Sequence, residues 1–155
     1  MKVGDKIPNI TFKTRVDNDW KEVSTRDIFT NKRIVIFSLP GAFTPTCSTK
    51  QLPGYEDNYE EILNREIDEI YCVSVNDSFV MNAWAENLGI KKVQMLPDGN
   101  GELTKRMGMD TTFNNRGFGM RSWRYSAVIN DMIVENVFIE PNRVLDSEPD
   151  PFEVS

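Results

Sequence analysis

One cysteine in this chain stands where a thiol is expected to become a reactive anion. Cys47 closes the segment Pro40–Cys47 (PGAFTPTC), which follows the apolar run Ile34–Leu39. The run predicts a buried strand, and Thr44 followed by Pro45 predicts the start of a helix. Cys47 then lies in the first helical turn, where unpaired N–H groups and the helix dipole favour a thiolate. This placement predicts a nucleophilic cysteine with a lowered pKa. The alternative is a small buried hydrophobic residue.

The remaining composition narrows the chemistry open to such a thiol. The 155 residues include two cysteines, Cys47 and Cys72, and no histidine. Ser-His-Asp and Cys-His catalysis are therefore impossible within the chain, and a zinc site of four Cys and His ligands cannot form. A Cys-x-x-Cys dithiol is also absent. So few cysteines fit a reducing, cytoplasmic compartment.

Length and charge bound the organisation of the chain and its partners. The length and a hydrophobic content of 39% predict one domain spanning residues 1–155. A net charge of −6 argues against nucleic acid and against a polybasic membrane anchor. No secretory leader or membrane-spanning stretch is visible, so we expect no membrane partner.

Strand and helix patterns alternate around the candidate cysteine. Strands are predicted at Ile10–Thr14, Trp20–Val23, Arg33–Leu39, Ile70–Val75 and Lys92–Leu96, with a hairpin of Trp123–Asn130 and Met132–Ile139. Helices are predicted at Thr25–Phe29, Thr46–Asn64, Phe79–Leu88 and Gly101–Met107. Pro53 should kink the long helix. This order indicates an α/β sandwich.

The motif around the cysteine also carries a family resemblance. Pro40, Thr44 and Cys47 form Pro-x-x-x-Thr-x-x-Cys, which resembles the active-site signature of the peroxiredoxins, the thiol peroxidases. The longer string PGAFTPTC resembles the peroxiredoxin 5 group, especially the peroxidase half of bacterial peroxiredoxin–glutaredoxin hybrids. Similar strings follow at Val73 (VSVND), Met95 (MLPDGNG) and Ser122 (SWRYS). The resemblance implies a thioredoxin-like α/β fold with the peroxiredoxin N-terminal extension, its central mixed sheet flanked by helices.

The resemblance implies reduction of hydrogen peroxide and organic hydroperoxides without a bound cofactor or metal. In-line attack of a thiolate on the O–O bond needs donors aimed at both oxygens and enforced alignment. Cys47 would be the nucleophile and would become a sulfenic acid. Thr44 would orient the peroxide, unless it only caps the helix, and Pro40 would shield the sulfur or merely end the strand. Backbone N–H groups near Gly41 and Cys47 would bind the substrate.

With no histidine available, arginine is the expected cation beside the thiolate, because it stays charged at any working pH. Arg116, Arg121 and Arg124 lie close together in sequence. Arg124 begins an apolar strand, where its charge must be solvated or paired, and the family pattern of Arg, aromatic and Ser falls on it. We expect Arg124 to hold the thiolate and polarise the peroxide, with Arg121 as the alternative. By resemblance, Gln51 helps to position the arginines.

Cys72 bears on how oxidised Cys47 returns to the thiol. Some peroxiredoxin 5 proteins close a disulfide with a late second cysteine, but none follows Cys72 here. Its apolar surroundings favour a buried, inert thiol over a resolving role. We therefore predict a one-cysteine cycle with an external thiol reductant, glutathione with glutaredoxin before thioredoxin. The resemblance further implies a homodimer through the face around the active site, with Phe43 and Phe118 at the pocket mouth or the subunit contact.

Two other functions remain open at the level of sequence. Cys47 could be a redox sensor that passes oxidation to a protein partner, or the chain could be a non-catalytic interaction domain. The complete Pro, Thr, Cys and Arg set disfavours the second. The tail Glu140–Ser155 resembles the point where related chains enter a last helix. Either that helix is absent or the chain is a fragment of a longer protein, for example one with a glutaredoxin domain.

Overall fold

The computed structural model describes residues 1–45 and 50–140. The strands are β1 (Thr11–Val16), β2 (Asp19–Ser24), β3 (Arg33–Ser38), β4 (Glu69–Ser74), β5 (Gln94–Pro97), β6 (Asp110–Thr112), β7 (Met120–Ser122), β8 (Tyr125–Asn130) and β9 (Ile133–Ile139). The helices are α1 (Thr25–Phe29), α2 (Leu52–Asp57), α3 (Tyr59–Leu63), α4 (Ser78–Asn87) and α5 (Glu102–Arg106), with a 3-10 turn at Asn114–Arg116. The predicted alternation of strands and helices is confirmed.

A five-stranded mixed sheet with the order β5-β4-β3-β8-β9 forms the centre of the fold. β3, β4 and β5 run parallel, whereas β8 runs antiparallel to both β3 and β9. Ser38 at the end of β3 pairs with Tyr125 at the start of β8. The loop that follows β3 and the residue that precedes Tyr125 therefore lie at one edge of the sheet, which we call the loop edge. In open α/β sheets, ligands bind at this carboxyl edge.

Both faces of the central sheet are covered, which explains why β3 reads as a continuous apolar run. Ile34 and Ile36 pack into one buried cluster together with Phe29 of α1. Phe37 and Leu39 belong to a second cluster, which also contains Trp84 of α4 and Cys72 of β4. Alternation along the strand divides its side chains between the two clusters. The strand is thus fixed on both sides up to the residue where the loop begins.

The long helix predicted over residues 46–64 is interrupted in its described part. A wide turn at residues 50 and 51 directly precedes Pro53, where the sequence predicts a distortion. A second interruption at Asn58 separates α2 from α3. The Asn58 side-chain Nδ2 donates to the Gly54 carbonyl at 2.8 Å, so the side chain competes for a helix acceptor. The sequence pattern does not predict this break.

Two further features differ from the sequence expectations. The hairpin of β6 and β7 is missing from the predicted elements, because both strands are short and Gly117 and Gly119 lie in the segment between them. Phe79, a residue type usually buried, is exposed and packs edge to face on Trp20 with ring centroids 5.5 Å apart. Among the residues described, no helix is long and apolar enough to cross a membrane.

Candidate active site

The loop after β3 is anchored to the end of the neighbouring strand. Asn76 follows β4, and its Oδ1 accepts from the backbone N–H of Ala42 at 3.0 Å and from the hydroxyl of Ser74 at 2.6 Å. Within the loop, the buried Thr44 hydroxyl donates to the Gly41 carbonyl at 2.7 Å. Because a hydroxyl also has two acceptor lone pairs, Thr44 can still receive a hydrogen bond. The contacts fold the loop back on itself beside the sheet.

Phe43, at the tip of the loop, has a left-handed backbone. Its φ is +63°, and 52% of the residue surface is exposed. This conformation is unfavourable for a bulky residue because Cβ crowds the following carbonyl. The neighbouring contacts of Ala42 and Thr44 hold the backbone in place. The ring is therefore presented to solvent at the loop edge.

Cys47 lies outside the described residues, together with Thr46, Ser48 and Thr49. Its predicted place in a first helical turn therefore stays a prediction. Pro45, two residues earlier, already has helical conformation. Pro45 thus has the conformation that the Thr-Pro pair predicts for it.

Arg124 is an almost completely buried cation at the loop edge. Only 5% of it is exposed. Its Nη1 donates to Oε1 of Gln51, and its Nε lies 3.3 Å from Oε2 of Glu140. The first contact places Gln51 beside Arg124; its predicted role in positioning the arginine stays a prediction. Arg124 directly precedes β8 and Glu140 directly follows β9, so the ion pair lies where these two strands pair. The Glu140 N–H also donates to the Arg124 carbonyl at 3.0 Å.

Glu140 was not among the residues that the sequence singled out. An acidic residue at the end of an apolar strand was the only available signal, and such residues are usually solvated. Here the side chain is only 11% exposed. Burial raises the pKa of Glu140, while the nearby charge of Arg124 lowers it by a smaller amount. The contact with Arg124 therefore favours the charged carboxylate in a place that otherwise disfavours it.

Arg121, the alternative candidate, contacts the loop from the β6–β7 hairpin. Its Nη1 donates to the Pro40 carbonyl at 3.2 Å, and its Nε donates to the Phe118 carbonyl at 3.2 Å. The guanidinium also packs 5.3 Å from the centre of the Phe118 ring. Partial burial lowers the pKa of Arg121 from its ordinary value. The third candidate, Arg116, is exposed on the 3-10 turn.

The approach of Arg121 explains why residue 41 is a glycine. A Cβ on Gly41 would lie 2.5 Å from Nη1 of Arg121, closer than nonbonded atoms tolerate. The sequence predicts that a glycine at residue 41 lets the backbone approach the substrate closely. In the structure, an arginine side chain makes such a close approach to Gly41.

Cys72 is completely buried in β4, as predicted. It pairs with Phe37 of β3 on one side and with Met95 of β5 on the other. A thiol in the middle of the sheet is inaccessible to reagents unless the core opens. Among residues 1–45 and 50–140, no three Cys, His, Asp or Glu side chains form a cluster suited to a metal ion.

Comparison with known proteins gives a consistent family. The redoxin model matches residues 2–150. A peroxiredoxin of Sinorhizobium fredii is 50% identical over 98% of this chain and 86% of its own length. The hybrid peroxiredoxin hyPrx5 of Haemophilus influenzae is 49% identical over 98% of this chain, which spans 61% of that protein. The Plasmodium falciparum antioxidant protein, a 1-Cys peroxiredoxin, superposes with a TM-score of 0.92 at 39% identity, covering 100% of this chain and 93% of that one.

The thioredoxin-like α/β fold and the family match over residues 2–150 show that the chain is a redoxin. Within that class the chain belongs to the peroxiredoxin family, oxidoreductases that reduce peroxides with a thiol and need no prosthetic group. The resemblance seen in the sequence is thereby confirmed, including its similarity to a hybrid peroxiredoxin.

Proposed function

We propose that this peroxiredoxin reduces hydrogen peroxide and small organic hydroperoxides in a one-cysteine cycle. The Cys47 thiolate attacks one peroxide oxygen, the O–O bond breaks, and the other oxygen leaves as hydroxide or alkoxide and takes up a proton. The product is a sulfenic acid on Cys47. Two external thiols then reduce it, releasing water and forming a disulfide between themselves. The buried, doubly held guanidinium of Arg124 at the loop edge carries this proposal.

Each neighbour of the sulfur has a part in this reaction. Arg124 stabilises the thiolate and the negative charge that develops on the leaving oxygen, because its charge is fixed and shielded from water. Thr44 accepts a hydrogen bond from the bound peroxide through the lone pairs that its own donation to Gly41 leaves available. Pro40 shields the sulfur, and the N–H groups of Gly41 and Cys47 bind the peroxide oxygens.

The position of Cys72 supports reduction by an outside thiol. Its side chain faces the buried cluster between the sheet and α4. A disulfide with Cys47 would require this central strand to leave its two hydrogen-bonded neighbours. The likeness to a protein described as a 1-Cys peroxiredoxin agrees with the one-cysteine cycle.

For the reductant, the similarity to a hybrid peroxiredoxin favours glutathione with glutaredoxin over thioredoxin. We also propose a cytoplasmic enzyme whose residues 1–155 form one catalytic domain. The protein would be a homodimer through the loop edge, where Phe43 is exposed and Phe118 is half-buried. Analytical ultracentrifugation of the wild type and of Phe43→Ser tests the dimer, which the substitution should weaken.

The activity is tested by hydrogen peroxide consumption with two reducing systems, glutathione plus glutaredoxin and thioredoxin plus its reductase. We expect repeated turnover with the first system, loss of turnover in Cys47→Ser, and full turnover in Cys72→Ala. A single stoichiometric oxidation of Cys47 without turnover in either system would indicate a sensor. Loss of turnover in a folded Cys72→Ala protein would contradict the one-cysteine cycle.

A further inference from the structure

The Arg124 guanidinium is held from two different elements. Gln51, in the turn before α2, accepts from Nη1, and Glu140, directly after β9, lies against Nε. A guanidinium is planar and presents its donors in a fixed fork. A hydrogen bond at one terminal nitrogen and an ion pair at Nε therefore restrain the orientation of the group as well as its position.

Holding Arg124 with the buried carboxylate of Glu140 costs stability. Both partners are nearly buried, with exposed fractions of 5% and 11%. Within the described part of the chain, the buried Oε1 of Glu140 has no hydrogen-bond partner. Breaking or incompletely satisfying a buried ion pair costs stability, and apolar residues of similar size often serve a purely structural site better. The arrangement therefore calls for a role beyond stability.

From this geometry we propose that Glu140 is a positioning residue for peroxide reduction. It holds the Arg124 guanidinium in place at the loop edge through its contact with Nε. The inference rests on the proposed function, because it takes Arg124 as the cation that acts on the Cys47 thiolate. Glu140 itself touches neither the peroxide nor the sulfur.

A nearby glutamate offers a matched control for this role. Glu135, on β9, accepts from Arg33 at the far end of the sheet, and that pair is about one third exposed. Replacing Glu135 or Glu140 removes the same charge at positions five residues apart in the chain. Only the change at Glu140 should alter the reactivity of Cys47.

The experiment measures two properties of Cys47 in a Cys72→Ala background, which leaves one thiol. The first is the pH midpoint for alkylation by iodoacetamide, and the second is the rate of a single oxidation by hydrogen peroxide. In Glu140→Ala we expect the midpoint to rise by about half a unit as the cation moves away, whereas loss of the Glu140 anion by itself would lower it. The oxidation rate should fall at least about tenfold. Glu140→Gln keeps an oxygen toward Nε and should recover most of the rate.

Unchanged midpoint and rate in both Glu140 variants would overturn the proposal, as would equal changes in Glu135→Ala. If Glu140→Ala does not fold, Glu140→Asp decides, because it keeps the charge but withdraws the carboxylate by one methylene. The oxidation rate should fall in Glu140→Asp and not in Glu135→Asp. Failure of the proposed function shows separately, as absence of peroxide oxidation in the parent protein, while the alkylation midpoint still reports on Glu140.

Discussion

Two arginine–glutamate pairs lie at opposite ends of the central sheet. At the end where β3 begins, Arg33 donates through Nε and Nη2 to Oε2 of Glu135, at 2.9 and 2.7 Å. Arg33 also reaches the Arg65 carbonyl. At the loop edge, Arg124 and Glu140 lie 3.3 Å apart, with one carboxylate oxygen buried and lacking a hydrogen bond in the described structure. The exposed pair thus has the better geometry.

The pKa directions of the two glutamates show the same contrast. Hydrogen bonds from Arg33 and Asn130 lower the pKa of Glu135, whereas burial raises the pKa of Glu140. An exposed pair of good geometry contributes modestly to stability and tolerates change. A buried pair with incomplete hydrogen bonding is kept at a cost. In this sheet, a buried ion pair with an unsatisfied carboxylate oxygen indicates function more clearly than an exposed ion pair with short N–O distances does.

The largest expected effect separates the two arginines. Arg124→Met removes a positioned donor from the proposed transition state and should lower kcat/KM for hydrogen peroxide by about 100- to 1,000-fold. Arg33→Met removes the same group at the far end and should leave kcat/KM within about twofold, because exposed ion pairs contribute little. Steady-state kinetics with one reductant compare them. Equal losses of kcat/KM in the two variants would contradict the proposed difference between the two ends of the sheet.

A smaller effect concerns Arg121, which is intermediate in burial between the other two arginines. Gly41→Ala places a methyl group where Nη1 of Arg121 lies and should release its contact with the Pro40 carbonyl. We expect peroxide oxidation to slow roughly tenfold through loss of loop alignment. The unfolding temperature should change little, because a flexible side chain gives way.

A double-mutant cycle tests that explanation of Gly41. Arg121→Met should slow oxidation to a similar degree, and adding it to Gly41→Ala should cost nothing further. Gly54→Ala is the control, since a Cβ there meets no atom within 4 Å. Additive losses from Gly41 and Arg121 would show that the methyl group acts on the substrate directly.

The smallest effect is on the pH dependence of stability, where the two glutamates should act with opposite signs. The lowered pKa of Glu135 gives stability that is present above its unfolded-state pKa and is lost as the pH falls. The raised pKa of Glu140 gives stability that is present below the ordinary value of 4.5 and is lost as the pH rises through the folded pKa. Urea unfolding of Glu135→Gln and Glu140→Gln against the wild type, from acid to neutral pH, measures both trends.

In those titrations, the advantage of the wild type over Glu135→Gln should shrink toward acid pH. Its advantage over Glu140→Gln should shrink toward neutral pH. The same sign for both variants would mean that Arg124 dominates the titration of Glu140 and that burial is the weaker influence. The contrast between the two ends of the sheet would then rest on geometry alone.

The sequence predicts those parts of the fold that depend on neighbouring residues. Ser24 caps α1 with a reciprocal Asp27 contact and Asp77 caps α4, and each capping side chain accepts from an N–H three residues ahead. The turn that joins β8 to β9 is likewise local and lies at Asp131 and Met132, both at positive φ. Such features depend on hydrogen bonds that span three or four residues, so composition and spacing suffice to locate them.

The contacts that build the candidate site depend on distant parts of the chain. Glu140 reaches Arg124 only because β9 pairs with β8 through a register shift between Val128 and Ile129. Arg121 reaches Pro40 only through the unpredicted β6–β7 hairpin. Residue types near Cys47 were identifiable from the motif. The partners that orient them were not, because register and loop packing are properties of the folded chain.

The left-handed backbone of Phe43 has a consequence for laboratory evolution. A glycine there would relieve a conformational cost of up to about 1 kcal/mol, yet the chain places a large aromatic ring at that position. A selection for heat resistance alone would therefore tend to replace Phe43 with glycine or asparagine. A selection for growth under oxidative stress would retain the ring if it serves the enzyme. The two selections should therefore favour different residues at position 43.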